Sequence, residues 1–158
     1  MKNEITNVLF AGIGGQGIIL ASDLLSEMAF RSGFDVKKSE IHGMSQRGGS
    51  VSGDVRFGKK VYSPMIPEGE ADYLVVLSED QVEVCKNMVN EKTVILTPAI
   101  LGDFDPGKSL NVAMLGALNA GLQLDDELWY ELLRGHFKGE LAEINIAAFQ
   151  KGKASFKG

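Results

Sequence analysis

The stretch that most restricts what this chain can become runs from Asn7 to Leu25, NVLFAGIGGQGIILASDLL. The apolar run Val8-Leu9-Phe10-Ala11 enters the cluster Gly12-Ile13-Gly14-Gly15-Gln16-Gly17, and an apolar-periodic segment follows with no spacer. That order predicts a strand, a tight turn and the first turn of a helix. A helix start carries unpaired backbone N–H groups and the positive end of a dipole, so such a junction suits a phosphate. Gly12 permits the turn, Gly14 opens the backbone to a pyrophosphate, and Gly17 lets the helix pack close to the strand. A glycine-rich turn that binds nothing is the plain alternative, and the glycine spacing alone does not decide between them.

The 158 residues fit a single domain, 1–158, with a core of its own. The start MKNEITNVLF lacks the basic-then-apolar pattern of a signal peptide, and no run approaches the roughly 18 apolar residues of a membrane span. The expectation is therefore a cytoplasmic protein with no membrane partner. A net charge of −5 argues against nucleic acid as a partner. A single cysteine, Cys85, excludes an internal disulfide and cannot supply the thiolates of an iron–sulfur cluster. It falls on the apolar face of a predicted helix, where packing is its expected role.

The charge is uneven. Residues 31–60 hold seven basic side chains against three acidic ones, a local balance of +4 within a chain whose total is −5. A basic segment after a glycine loop can supply cations to a phosphate-bearing ligand. A solvated strand face would read the same way.

Ala21, Leu24, Leu25, Met28 and Ala29 have helical spacing over residues 18–32, and Gly33 is positioned as the C-cap. A second strand is predicted from Phe34 toward Ile41. An NAD-binding domain would place an acidic residue about 20 positions past the glycines. Lys37 and Lys38 stand there instead. They favour a phosphorylated ribose, as in NADP or coenzyme A, over a free ribose diol, and make these lysines optional phosphate partners.

The loop Glu40–Gly58, EIHGMSQRGGSVSGDVRFG, is the least ordinary stretch. Arg47 beside Gly48-Gly49-Ser50 forms a second candidate anion nest of guanidinium, backbone N–H groups and hydroxyl. His42 has no orienting carboxylate at an obvious spacing, so a positional role is expected. Val51, Gly53, Val55 and Phe57 alternate as a strand face, with a hairpin turn at Gly58-Lys59 and Lys60–Ser63 pairing back.

Further strands are predicted at 71–77 and 92–97, separated by a capping box at Ser78–Gln81 and a helix with Val82, Cys85, Met88 and Val89 on one face. A small-residue helix follows over 112–122, suited to close approach by another backbone within the domain or from a partner. Asp125 caps the next helix, which has His136 near its end. A short helix over 140–149 and a frayed KGKASFKG tail close the chain. Strand–helix alternation makes the fold class α/β with a mostly parallel sheet. The chain shows no G-x-S-x-G, H-E-x-x-H, Walker lysine or cysteine cluster, so no catalytic machinery is visible and no metal set suggests itself.

GIGGQGIILASDLL, followed by SEIHGMSQRGGSVSGDVRFGKKVYSPMIPEGEADYLV, resembles the gamma subunit or domain of 2-oxoacid:ferredoxin oxidoreductases. Within that family, HGMSQRGGS and VYSPMIPEGEAD are most similar to the indolepyruvate oxidoreductase beta-subunit branch. The resemblance extends from Val8 to Gly152, with NVAMLGA and NIAAFQKG as its later marks. The segment between Pro98 and Asn111 is shorter than in many relatives.

The resemblance implies a Rossmann-like three-layer α/β subunit with a β-hairpin insertion, working within a larger complex. Such complexes convert a 2-oxoacid to acyl-coenzyme A on thiamine diphosphate and pass electrons through iron–sulfur clusters to ferredoxin. Thiamine diphosphate and the clusters would lie on partner subunits. This chain would help bind coenzyme A, with Gly12, Gly14, Gly15, Gln16 and Gly17 receiving phosphates and Arg47, Gly48, Gly49 and Ser50 shaping the neighbouring contact or the subunit seam. A purely structural assembly subunit is the second expectation. A stand-alone NADP-dependent oxidoreductase is the third.

Overall fold

The computed structural model describes residues 5–42 and 49–157. Its centre is strand β1 (Thr6–Ile13), whose Val8, Leu9, Phe10 and Ala11 are buried on both sides of the sheet. Four further strands complete that sheet: β2 (Asp35–His42), β3 (Ser50–Gly58), β4 (Tyr73–Val76) and β5 (Val94–Leu96), in the order β2-β3-β1-β4-β5. β1 pairs in parallel with β4, and β4 with β5, whereas β3 runs antiparallel to both β1 and β2. Four strands therefore share one direction and β3 opposes them, which makes the sheet α/β in type and mostly parallel.

Helix α1 (Ile18–Arg31) follows β1, and α3 (Leu110–Leu122), α4 (Asp126–His136) and α5 (Glu140–Ser155) come late in the chain. All four contribute to one large core against a single sheet face, where Phe10, Leu24, Val75, Met114, Trp129 and Phe149 are buried. The other face is covered by a thinner layer. There the short helix α2 (Gln81–Val84) and residues 61–71 pack Ile66, Ala71 and Cys85 onto Leu9, Ala11, Leu74 and Val76. The three layers are thus unequal.

The small residues of α3 are used inside the chain. A Cβ on Gly116 would lie 2.0 Å from the Phe149 carbonyl oxygen, and one on Gly152 would lie 1.8 Å from that of Ala113. These two glycines let α3 and α5 cross with their backbones in contact. Asp125 caps α4 as expected, its carboxylate accepting from the Glu127 N–H at 3.1 Å. Lys153 of α5 pairs with Asp126 at the start of α4. Gly33 takes a left-handed conformation just past α1, with the Phe34 N–H donating to the Ala29 carbonyl.

Three local expectations are corrected. Lys60–Ser63 does not pair back as a strand, because its backbone is taken by side chains. The Val61 N–H donates to Asp35 Oδ2 at 2.8 Å, and Arg56 donates to the Ser63 and Met65 carbonyls. The hairpin-like partner of β3 is β2 instead. Ser78–Gln81 forms no capping box: the Ser78 hydroxyl donates to the Asp80 carboxylate, and α2 lasts four residues before a 3₁₀ turn at Lys86–Met88. Helix α5 continues to Ser155, because Gly152 packs against α3 where a frayed tail was expected.

Candidate functional site

The strand ends that share one direction, Ile13 of β1, Val76 of β4 and His42 of β2, define the carboxyl edge of the sheet, and the glycine loop rises from it. In open α/β sheets, ligands bind at this edge. Ile13 is paired with Ser50 and Gly12 with Val51, which in turn faces His42, so the glycine loop and the borders of the HGMSQRGGS loop are neighbours. The Gly14 N–H donates to the Gly49 carbonyl at 3.1 Å and joins them directly.

Gln16 braces the turn. Its Oε1 accepts from the Ile13 N–H at 2.8 Å, its Nε2 donates to the Leu77 carbonyl at 3.2 Å, and its own N–H donates to the Ile13 carbonyl. The loop is thereby tied to the ends of two parallel strands. Gly15 and Gly17 have φ of 92° and 89°, a conformation that side chains rarely adopt. Gly17 is also pressed by Asn111 at the start of α3, whose Nδ2 donates to the Gly17 carbonyl at 3.3 Å.

This bracing leaves a group of donors open. The N–H groups of Gly15, Gly17, Ile18, Ile19 and Leu20 meet no acceptor among the described residues. No side chain among the described residues caps α1, and its first turn contains no acid to compete with an anion. A cavity of about 200 Å³ lies over these groups, bordered by Gly14, Gly15 and Gly17 with His42 and Val51 on its far side. A left-handed glycine followed by free helix N–H groups is the backbone geometry that receives phosphate oxygens.

The expected site residues therefore divide into groups. Gly12, Gly14, Gly15, Gln16 and Gly17 form one turn, and Gly49 and Ser50 border it. Arg47 and Gly48 lie outside the described residues. Lys37 and Lys38 sit elsewhere: Lys38 is level with Val55 and Val8, about five residues or roughly 16 Å down the strands from Ile13. Lys38 is held by Asp23 at 2.8 Å and Glu40 at 2.6 Å, and Lys37 is 3.7 Å from Asp35. Arg31 pairs with Glu27, and Arg56 is buried and bonded to Asn7 at 2.8 Å. The basic segment thus spends these cations on the fold rather than on a phosphate.

The sequence reading missed a second polar centre, on the thinly covered face. Arg56, Asn7 and Asp54 strap residues 63–70 across the sheet: Asn7 Nδ2 donates to the Glu70 carbonyl at 2.9 Å, and Asp54 Oδ2 accepts from the Ile66 N–H at 2.9 Å. The available signal was the alternation of Asp54 and Arg56 with Val55 and Phe57 ahead of a two-proline segment. Burial pushes the Asp54 carboxyl above its ordinary value, and burial with the nearby Asp54 charge pushes the Cys85 thiol up. Cys85 is packed in the second core, as expected.

An α/β domain with a glycine turn and an open helix start at the carboxyl edge of its parallel strands has the architecture of the nucleotide-binding α/β proteins. The family model for pyruvate ferredoxin/flavodoxin oxidoreductase matches residues 7–106, and the chain belongs to that family. Indolepyruvate oxidoreductase subunit IorB of Thermococcus kodakarensis is 32% identical to it over 195 aligned positions, covering 96% of each chain. Pyruvate synthase subunit PorC of Methanothermobacter thermautotrophicus is 28% identical, covering 89% of this chain and 90% of the relative. Among solved structures, the gamma subunit of a keto/oxoacid ferredoxin oxidoreductase from Geobacter sulfurreducens superposes with a TM-score of 0.77 at 20% identity, covering 97% of each chain. The 2-oxoglutarate:ferredoxin oxidoreductase of Magnetococcus marinus, with 2-oxoglutarate, coenzyme A and succinyl-CoA bound, gives a TM-score of 0.84 at 23% identity over 98% of this chain and 31% of that one. At these identities the structural likeness is one of fold. No helix among the described residues is long and apolar enough to cross a membrane.

Proposed function

We propose that this chain is the gamma-type subunit of a 2-oxoacid:ferredoxin oxidoreductase complex and that its glycine turn holds the pyrophosphate of coenzyme A. The observation that carries the reading is the set of N–H groups on Gly15, Gly17, Ile18, Ile19 and Leu20, without acceptors among the described residues, at the carboxyl edge of the sheet. Phosphate oxygens accept from such a set without a nearby lysine, because the helix dipole adds its field to the individual bonds. Gln16 and the Gly14–Gly49 bond keep the set in place. Ser50 reaches it through its backbone pairing with Ile13 while lining the cavity on the other face, and Arg47 and Gly48, outside the described residues, are proposed for the neighbouring contact.

Coenzyme A is far larger than the cavity of about 200 Å³ at this turn. The adenine and pantetheine arms therefore extend beyond it, toward partner subunits. Coenzyme A supplies the thiol that takes the acyl group. This chain's own contribution is to orient its phosphates. Thiamine diphosphate and the iron–sulfur clusters are assigned to those partners, since one cysteine cannot hold a cluster and Cys85 is buried in the second core. The same reading makes the chain a cytoplasmic one.

Each rival reading loses one feature that motivated it, while the lack of visible catalytic machinery is common to the assembly reading and to this one. The small residues of α3 are matched by α5 rather than left for a partner. The lysines that favoured a phosphorylated ribose, in NADP or in coenzyme A, are paired on β2 away from the turn, so the coenzyme A reading rests on the pyrophosphate site and not on them. Calorimetric titration of the assembled complex with coenzyme A, NADP and NAD tests the proposal. Saturable binding of coenzyme A alone is expected, and a nicotinamide nucleotide binding more tightly than coenzyme A would refute it.

A further inference from the structure

The thinly covered sheet face contains a cavity of about 410 Å³, twice the size of the one at the glycine turn and separate from it. Side chains alternate along a strand, so Ser50 and Ser52 of β3 line this cavity while Val51 borders the other. Its inner wall is Leu9, Ile66 and Met88, and its mouth is formed by Ile41, Met65 and Val84, each about half exposed. Into this apolar space face two buried polar side chains, Asp54 at 4% exposure and Gln81 at 3%. Asp54 Oδ2 accepts from the Ile66 N–H, but neither its Oδ1 nor the Gln81 side-chain amide has a hydrogen-bond partner among the described residues.

Trp129 Nε1 is the one fully enclosed side-chain polar atom without a partner among the described residues, so the free Asp54 and Gln81 atoms open into the cavity, where a ligand would take the place of water. A mostly apolar cavity of several hundred Å³ lined by a few polar groups, Asp54 and Gln81 inside and the bonded pair Asn87 and Glu68 at the rim, is the composition of a small-molecule site. Water alone would satisfy the polar groups and leave the apolar walls wet. We propose that this cavity is a second ligand site, for a small molecule with an apolar body and a hydroxyl or amine head that donates to Asp54 and meets the Gln81 amide. The desolvation that raises the Asp54 carboxyl is offset by such a donor. The ligand enters past Ile41, Met65 and Val84 and leaves the glycine turn untouched.

Three probes of one shape test this on the full chain by amide NMR: phenethyl alcohol, phenethylamine and ethylbenzene. The expected result is a set of shifts centred on Leu9, Ile66 and Cys85, with each donor-bearing probe binding about tenfold more tightly than ethylbenzene. Gln81→Leu should narrow that preference. Val84→Trp, at the half-exposed mouth and away from the core, should abolish binding of all three while leaving the fold intact. The proposal is overturned if no probe shifts these residues, if ethylbenzene binds as well as the others, or if Val84→Trp changes nothing. Loss of probe binding on assembly with the partner subunits would assign the cavity to a partner's side chain and would equally overturn it.

Discussion

The Gly14 amide donates to the Gly49 carbonyl at 3.1 Å, and this one bond ties the glycine turn after β1 to the start of β3. Two motifs far apart in sequence thereby form one edge. The bond also consumes the Gly14 N–H, so the donors left for a ligand begin at Gly15 and continue into the first turn of α1.

Gly17 is expected to tolerate no side chain. Its φ of 89° is unfavourable for any other residue, and a Cβ would lie 2.4 Å from Asn111 Nδ2. Gly17→Ala should cost on the order of 1–3 kcal/mol in urea unfolding. Adding Asn111→Ala should restore only the steric part, because the backbone strain remains.

Gln16→Leu should loosen the turn without unfolding the sheet. It removes the acceptor of the Ile13 N–H and the donor to the Leu77 carbonyl. A loss of about 1–3 kcal/mol is expected. Hydrogen exchange of the Ile13 amide should speed up, while that of the mid-strand Phe10 amide should change only as far as global stability does.

Glycines in the late helices should respond in opposite directions. Gly152→Ala drives a methyl to 1.8 Å from the Ala113 carbonyl oxygen, so α3 and α5 must separate, at a cost of about 3 kcal/mol or more. Gly135 in α4 has open space around its would-be Cβ, and Gly135→Ala should stabilise by about 0.5–1 kcal/mol. Thermal unfolding of the two variants separates a packing role from a helix-propensity effect.

Two aspartates should give the pH dependence of stability opposite slopes. Burial raises Asp54 above its ordinary 3.8 in the folded chain. Between 3.8 and that raised value the folded chain holds a proton the unfolded chain has released, so stability falls as pH rises through this window. Asp54→Asn should therefore gain relative to the parent on going from acid to neutral pH. Asp35 is lowered from 3.8, chiefly by the Val61 N–H, so its stabilisation is present above 3.8 and is lost as pH falls through its lowered folded value. Asp35→Asn should be the weaker variant at neutral pH and match the parent in acid. Urea unfolding across this range reads both.

Much of this architecture was legible because local signals agreed. The glycines stand between an apolar run and a helical period, Gly33 stops α1 and Asp125 starts α4. The extents of elements held by distant contacts were less legible. Nothing near Lys60 announces that Asp35 and Arg56 will take the backbone of the following segment, and nothing near Gly152 reveals the α3 backbone against it. At the candidate site the turn was readable from its glycines. The fate of Lys37 and Lys38 was not, because register and the positions of Asp23 and Glu40 decide it. Asp54 was missed for a related reason: a polar residue in an alternating strand reads as solvent-facing until something covers that face, and Gln81 was read as part of a capping box that α2 does not form.

The central claim is that the glycine turn holds coenzyme A by its phosphates. Among the described residues, a Cβ on Gly14 would meet nothing closer than the Gly49 carbonyl oxygen at 3.9 Å, so this position is the one chosen for the comparison. The decisive measurement is the affinity of the assembled complex for coenzyme A when it contains the parent chain, Gly14→Ala or Gly14→Asp. The account predicts that alanine is nearly neutral, whereas the aspartate, a negative charge beside the open N–H groups, weakens binding at least about tenfold. Equal affinity for all three would contradict it.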